Sequence, residues 1–224
     1  MRITIGLFAI LLTACGGTAV TPATTAQSAT PPTVQGPIVF VGDSITQFWD
    51  WGGFIVPDPT LSVLVPGEIN DGIAGNRTDE MLARFDAVLA QHPAVLVILG
   101  GTNDIRQIQN PTVDNIATMA ERASATGAWV IIGTVPPASV TLYPTSDAPD
   151  DPTNLARIRA FNVQLRTLAN AYGYTLVDYY SAMVNADGTQ NQSLFLPADL
   201  IHPNIEGYHV MWTVLQPTLR AEMR

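Results

Sequence analysis

Residues 94–99, Ala-Val-Leu-Val-Ile-Leu, form an unbroken apolar run between Pro93 and Gly100-Gly101. A strand with one face in water alternates polar and apolar residues, so a strand that does not alternate must be covered on both faces, as central strands of parallel sheets are. The pattern recurs. Ile38 to Val41 and Trp129 to Val135 are similar runs, Tyr174 to Val177 is a shorter one, and Leu61 to Asn70 holds another that Pro66 interrupts. Between these runs lie stretches with helical spacing. Thr78 to Leu89 carries Met81, Leu82, Phe85, Val88 and Leu89 on one face, with Thr78 expected as its N-cap. Val113 to Ala125 is helical, as is Asn154 to Ala171, with Leu155, Ile158, Phe161, Leu165 and Leu168 on one face. A last helix runs from Ile205 to Arg220, interrupted or ended near Pro217. Strand and helix alternate throughout, which predicts an α/β domain with a mostly parallel sheet and helices on both faces. Ligands of such sheets bind beyond the carboxyl ends of the strands.

The chain has 224 residues, 47% hydrophobic and 13% charged, which suits one globular domain, expected over 37–224. Ahead of it, Met1-Arg2 and the apolar run Ile3 to Leu12 are followed by Leu12-Thr13-Ala14-Cys15-Gly16. One cation, a short apolar core and small residues before a cleavage point make a secretory signal over 1–14. The run falls short of the ~20 apolar residues that a spanning helix needs. Leu-Thr-Ala-Cys also resembles a bacterial lipobox, in which the cysteine becomes the lipidated first residue of the mature protein. Cys15 is the only cysteine of the chain, which rules out an intramolecular disulfide. Residues 15–36 are rich in Thr, Ala and Pro, carry no charge and cannot bury enough surface to fold, so they read as a tether. A lipid-anchored protein of a bacterial cell envelope is expected, on its periplasmic or extracellular face, or a secreted one if Cys15 is not acylated. The net charge of −9 and the lack of a basic stripe argue against nucleic acid as a partner.

The strand-end rule organises the polar residues. Gly42-Asp43-Ser44 follows the first strand, Asn70-Asp71-Gly72-Ile73-Ala74-Gly75-Asn76 the second, and Gly100-Gly101-Thr102-Asn103-Asp104 the third. Asp199-Leu200-Ile201-His202-Pro203-Asn204 precedes the last helix. Asp43 and Ser44 have a modest reading as helix caps. The sharper reading of Ser44 is a nucleophile, which needs a base within reach and a third group to orient that base. Of three histidines, His92 lies at the opposite edge of the sheet, before Pro93, and His209 sits in the last helix beside Tyr208. His202 remains, and Asp199, three residues before it, can reach its ring within one turn. Ser44, His202 and Asp199 are therefore the candidate nucleophile, general acid–base and orienting carboxylate. Donors for a developing oxyanion are available in the backbone N–H of Gly75, the side-chain amide of Asn103 and the N–H of Ser44. Singly, Gly75 reads equally as a turn glycine and Asn103-Asp104 as a helix start.

Gly-Asp-Ser-Ile-Thr, the Gly75 of Gly-Ile-Ala-Gly-Asn, Gly-Thr-Asn-Asp-Ile, and Asp-Leu-Ile-His-Pro-Asn with Gly207-Tyr208 after it resemble, in order, the motifs of the SGNH hydrolases, also called the GDSL esterase/lipase family. Residues 83–105 and 177–190 resemble its small bacterial acylhydrolases. The resemblance spans Ile38 to Thr218. It implies a three-layer α/β/α sandwich on a five-stranded parallel sheet, flavodoxin-like in type. It also implies Ser44, Asp199 and His202 as the triad, and Ser44, Gly75 and Asn103 as the oxyanion hole. The serine lies outside any Gly-x-Ser-x-Gly elbow.

The activity expected is a serine esterase that cleaves short acyl esters, acetyl above all, on carbohydrate or small aryl alcohols. A lysophospholipase- or thioesterase-like acylhydrolase and a catalytically silent carbohydrate-binding lipoprotein are the alternatives. Arg77, where relatives often differ, is a candidate contact for a polar or anionic substrate, or else a surface partner of Asp79 or Glu80. Trp49 and Trp51 are candidate stacking platforms for a sugar or aryl group, or else packing residues. No His-Glu-x-x-His helix or second clustered histidine supplies metal ligands, so no metal or cofactor is expected. A monomer acting on a small-molecule or glycan ester is expected.

Overall fold

The computed structural model describes residues 36–49, 68–107, 111–138 and 152–222. The signal at 1–14, Cys15, the tether apart from Gly36, Trp51 and the loop beyond Ala138 lie outside the described residues.

Five strands form one sheet: β1 (Ile38–Gly42), β2 (Glu68–Gly72), β3 (Val95–Leu99), β4 (Trp129–Gly133) and β5 (Thr175–Val177). All pairings are parallel and the order is β2-β1-β3-β4-β5. The helices are α1 (Ser44–Gln47), α2 (Thr78–Ala83), α3 (Phe85–Leu89), α4 (Thr102–Gln107), α5 (Asp114–Ala125), α6 (Pro152–Tyr172), α7 (Tyr179–Ala182) and α8 (Ile205–Glu222).

Alternate residues of each apolar run serve opposite faces. Val39 and Val41 of β1, Leu96 and Ile98 of β3 and Val130 and Ile132 of β4 pack with Met81, Phe85, Ile116, Ile158 and Phe161 from α2, α3, α5 and α6. Ile38 and Phe40, Val95 and Val97, and Trp129 and Ile131 pack with Ile45, Tyr179, Tyr208 and Met211 from α1, α7 and α8. This double burial is why the strands read as continuous apolar runs. Each fully buried Val, Ile, Leu or Phe contributes about 1.5–3 kcal/mol.

The sheet runs outward from β1 in both directions, with β2 on one side and β3 on the other. The loops after β1 and β3 therefore diverge, and the crevice between them is where doubly wound sheets bind ligands. Gly42, Asp43 and Ser44 enter it from one side, Gly100 to Asn103 from the other.

Three local expectations change. The helix read over Thr78 to Leu89 is two, α2 and α3, with Arg84 at the junction (φ −100, ψ 5). Thr78 is the first residue of α2 and Arg77 its N-cap, with the Glu80 carboxylate accepting the Arg77 backbone N–H at 2.8 Å. The Thr78 hydroxyl is committed elsewhere, donating to the buried Asp104 at 2.5 Å. The last helix continues through Pro217. Proline keeps a helical φ and forfeits one hydrogen bond, and Leu215 and Leu219, both buried against the sheet, hold the helix on either side of it.

Candidate active site

Ser44 stands at the carboxyl end of β1 because the chain turns there into α1 with only Asp43 between them. A Cβ on Gly42 would lie 2.0 Å from Thr46 Oγ1 and 2.5 Å from the Leu99 carbonyl oxygen, so only glycine permits the turn. Asp43 caps α1, its Oδ1 accepting the Ile45 N–H at 2.9 Å. Its carboxyl is buried, and that burial pushes its pKa up to about 6 against the pull of the Ile45 N–H, of His202 and of the Thr102 hydroxyl. Asn70 of β2 donates to the Thr46 carbonyl at 2.8 Å and fastens α1 to the neighbouring strand.

The turn before α8 brings its histidine to this serine. His202 Nε2 lies 2.8 Å from Ser44 Oγ, and His202 Nδ1 lies 2.7 Å from Asp199 Oδ2. The other oxygen of Asp199 accepts the backbone N–H groups of Ile201 at 2.9 Å and His202 at 3.0 Å. Burial opposes ionisation of Asp199, but the His202 ring and those two N–H groups outweigh it and hold the carboxyl below the ordinary range. A carboxylate on Nδ1 keeps the proton there and leaves the Nε2 lone pair for the serine hydroxyl. The turn is irregular, because Leu200 adopts the left-handed φ of +52. Gln190 clamps it, its Nε2 donating to the carbonyls of Leu200 at 2.7 Å and Pro137 at 3.0 Å. Phe48, at the end of α1, packs on the His202 ring with centroids 5.2 Å apart. Asn204 caps α8, accepting the Gly207 N–H at 3.0 Å.

The loop after β2 carries Gly75. Gly75 has a left-handed φ of +82, and nothing lies within 4 Å of where its Cβ would stand. Among the described residues neither its N–H nor that of Ser44 has an acceptor. Asn103, buried at the start of α4, donates one amide hydrogen to the Asn76 carbonyl at 3.0 Å, and its Oδ1 faces Arg106 Nη1 at 3.5 Å. Two backbone N–H groups and the second Asn103 amide hydrogen thus have no acceptor among the described residues. The set has the parts of an acyl-transfer site: a hydroxyl, a base, an orienting carboxylate and donors for an oxyanion. Among the described residues no group of three or more His, Cys, Asp or Glu could hold a metal ion.

One expected substrate contact is corrected. Trp49 is 5% exposed, enclosed by the rings of Phe40, Tyr179 and Tyr208 at 5.6–6.2 Å, so it packs the core and cannot stack on a ligand. Arg77 is forked onto Asp79 at 2.8 and 3.0 Å and touches Gln107, the surface pairing weighed for it. Residues that sequence reasoning passed over are Gln190, Phe48, Asn76 and Arg84.

The sequence model of the GDSL-like lipase/acylhydrolase family matches residues 40–210. No curated protein matches the sequence significantly. Among solved structures, one from Bacteroides fragilis classed as an acylhydrolase is 31% identical, with 87% of this chain and 91% of that chain covered and a TM-score of 0.71. A GDSL-like lipase from Bacteroides thetaiotaomicron is 30% identical, with 86% and 92% covered and a TM-score of 0.70. A catalytic mutant of an acetylxylan esterase from Geobacillus stearothermophilus is 20% identical, with 84% and 95% covered and a TM-score of 0.63, a likeness of fold alone.

Proposed function

The chain belongs to the GDSL-like lipase/acylhydrolase family of ester-hydrolysing enzymes, and from that premise we propose that it is a serine esterase that cleaves short acyl esters through an acyl-enzyme on Ser44. The observation that carries the reading is the hydrogen-bonded chain Ser44–His202–Asp199, with links of 2.8 and 2.7 Å. In this mechanism His202 takes the Ser44 proton as Oγ attacks the ester carbonyl. Asp199, kept ionised by its three donors, holds the Nδ1 proton in place and offsets the charge of the imidazolium. The tetrahedral oxyanion takes hydrogen bonds from the N–H groups of Ser44 and Gly75 and from the Asn103 amide, each worth about 3–4 kcal/mol in the transition state. His202 then protonates the leaving alcohol. A water deprotonated by the same imidazole attacks the acyl-enzyme and releases the acid and free Ser44.

Acetyl on a carbohydrate or small aryl alcohol is the substrate class proposed. The support is the fold likeness to an acetylxylan esterase. One observation favours the alternative of a longer lipid acyl group: Ile73, two residues before Gly75, is an exposed large apolar side chain. A p-nitrophenyl ester series separates the two, since an acetyl preference supports the first and a rise in kcat/KM with chain length the second.

The serine mechanism is tested with Ser44→Ala. Hydrolysis of p-nitrophenyl acetate is expected to fall by about 10⁴-fold or more and, in the unaltered protein, to survive a chelator. Robust turnover by the variant would overturn the mechanism and point to a different nucleophile, whereas no turnover by the unaltered protein would favour a silent binding protein.

A further inference from the structure

Arg84 is a half-buried cation outside the triad and the oxyanion donors, yet its guanidinium spends its donors on the parts that carry them. Nη2 donates to the carbonyl of Gly42, the last residue of β1, at 3.1 Å, and to that of Asp71 in β2 at 2.8 Å. Nη1 lies 3.3 Å from Asp71 Oδ1, an ion pair. Nε donates to Asn76 Oδ1 at 2.9 Å. Gly42 is two residues from Ser44, and Asn76 directly follows Gly75. The Asn76 carbonyl is also the acceptor for Asn103. One rigid fork therefore spans the end of the nucleophile strand, the end of its neighbour and the loop that presents Gly75. It sits at the break between α2 and α3, where the helix is interrupted at Arg84 itself.

We propose that Arg84 is a positioning residue for the oxyanion hole, fixing Gly75 and Asn103 relative to Ser44 through its simultaneous bonds to Gly42, Asp71 and Asn76. The proposal rests on the reading of Gly75 and Asn103 as oxyanion donors. Gly75 needs such a support because its loop is exposed and its N–H has no acceptor to hold it among the described residues. Without the clamp the Ile73 N–H stays on the Gly42 carbonyl at 3.1 Å and the Ala74 N–H on Gln47 Oε1 at 2.9 Å, but the Asn76 side chain loses its anchor and the Gly75 N–H gains freedom to turn from the attacked carbonyl. The loss falls on the transition state, where the oxyanion forms, and little on the ground state. Lysine keeps the positive charge but has no planar fork and cannot serve four acceptors on three residues with the same geometry.

The test uses the full chain with p-nitrophenyl acetate as substrate and phenylboronic acid as a tetrahedral inhibitor. Arg84→Lys is expected to lower kcat by about 30- to 100-fold. KM should stay within about threefold, and the boronate Ki should weaken in step with kcat. Asn103→Ala should cost much less in the Arg84→Lys background than alone, because the hole is already misaligned. Asn76→Ala, which cuts one arm and leaves the ion pair and both strand-end bonds, should lower kcat about tenfold at nearly unchanged melting temperature. That second variant decides the matter if Arg84→Lys fails to fold. An unchanged kcat in Asn76→Ala, or a melting-temperature loss in Arg84→Lys with kcat intact, would overturn the proposal. So would strict additivity with Asn103→Ala. Failure of the underlying reading looks different, because Asn103→Ala alone would then leave kcat unchanged whatever Arg84 does.

Discussion

Asp43 and Ser44 are neighbours with opposite burdens. Ser44 is half-buried at the carboxyl end of β1, whereas the Asp43 carboxyl is buried and capped onto the Ile45 N–H. Its pKa, raised from 3.8 to about 6, makes folding stability depend on pH. At low pH the group is protonated in folded and unfolded chains alike. Between about pH 4 and pH 6 the unfolded chain ionises it and the folded chain does not, so stability falls as pH rises. The loss levels off above pH 6 at about 3 kcal/mol, some 2 pH units at roughly 1.4 kcal/mol each. Asn keeps the cap and removes the charge. Urea unfolding of Asp43→Asn should therefore show a gain over the native chain that grows from about pH 4 to pH 6 and is flat beyond. A gain independent of pH would contradict the burial of an ionisable group there. The roles proposed for Ser44 and Asp199 were legible residue by residue, because few side chains can do such chemistry and the chain has three histidines. The fate of Trp49 was not legible. A tryptophan after a nucleophile has the same letter whether it faces a sugar or three aromatic rings, and only the packing of α1 against β1 and α8 decides.

At the scale of elements, short loops at the strand ends do the positioning, and each is held by a residue remote in sequence. Gln190 bridges the Pro137 carbonyl after β4 and the Leu200 carbonyl in the turn before α8. Leu200 is held left-handed, which costs about 1–3 kcal/mol that the surrounding bonds must outweigh. Gln190→Leu leaves two carbonyls without this donor. It is expected to destabilise the fold by about 2–4 kcal/mol. It should also lower kcat more than it changes KM, since the Asp199–His202 turn loosens. Thermal unfolding beside steady-state kinetics checks both, and a variant as stable and active as the native chain would show that the turn holds itself. Such clamps are hard to read in a sequence, because a glutamine or arginine bonding a distant carbonyl leaves no local pattern. The split of the Thr78–Leu89 helix at Arg84 belongs here too. The apolar spacing runs unbroken through it, and only the guanidinium's partners on β1 and β2 reveal the junction. By contrast, the cap of α1 and the limits of β1, β3, β4 and β5 were legible to within two residues, since they rest on neighbours in the chain. β2 lies at Glu68–Gly72, past most of the Leu61–Asn70 run expected to hold it, whose residues 61–67 lie outside the described residues.

For the whole molecule, one topological fact gathers the site. The sheet order turns around β1, so the loops after β1 and β3 part and leave a crevice at the carboxyl edge. Motifs spread over some 160 residues converge there, with Ser44 and His202 158 positions apart in sequence and 2.8 Å apart in space. The alternation of doubly covered strands with helices announced this architecture, because continuous apolar runs have few other uses in a chain of this composition. The acyl and alcohol groups were not legible, since specificity lies in side chains that line a pocket rather than in those that perform a common step. The central claim is that Ser44 becomes acylated. Intact-mass spectrometry of the enzyme acid-quenched during turnover of p-nitrophenyl acetate tests it directly. A mass increase of one acetyl group is expected, mapping to the peptide that contains Ser44 and absent from Ser44→Ala. Full turnover with an acetyl group found on another residue, or on none, would contradict the account.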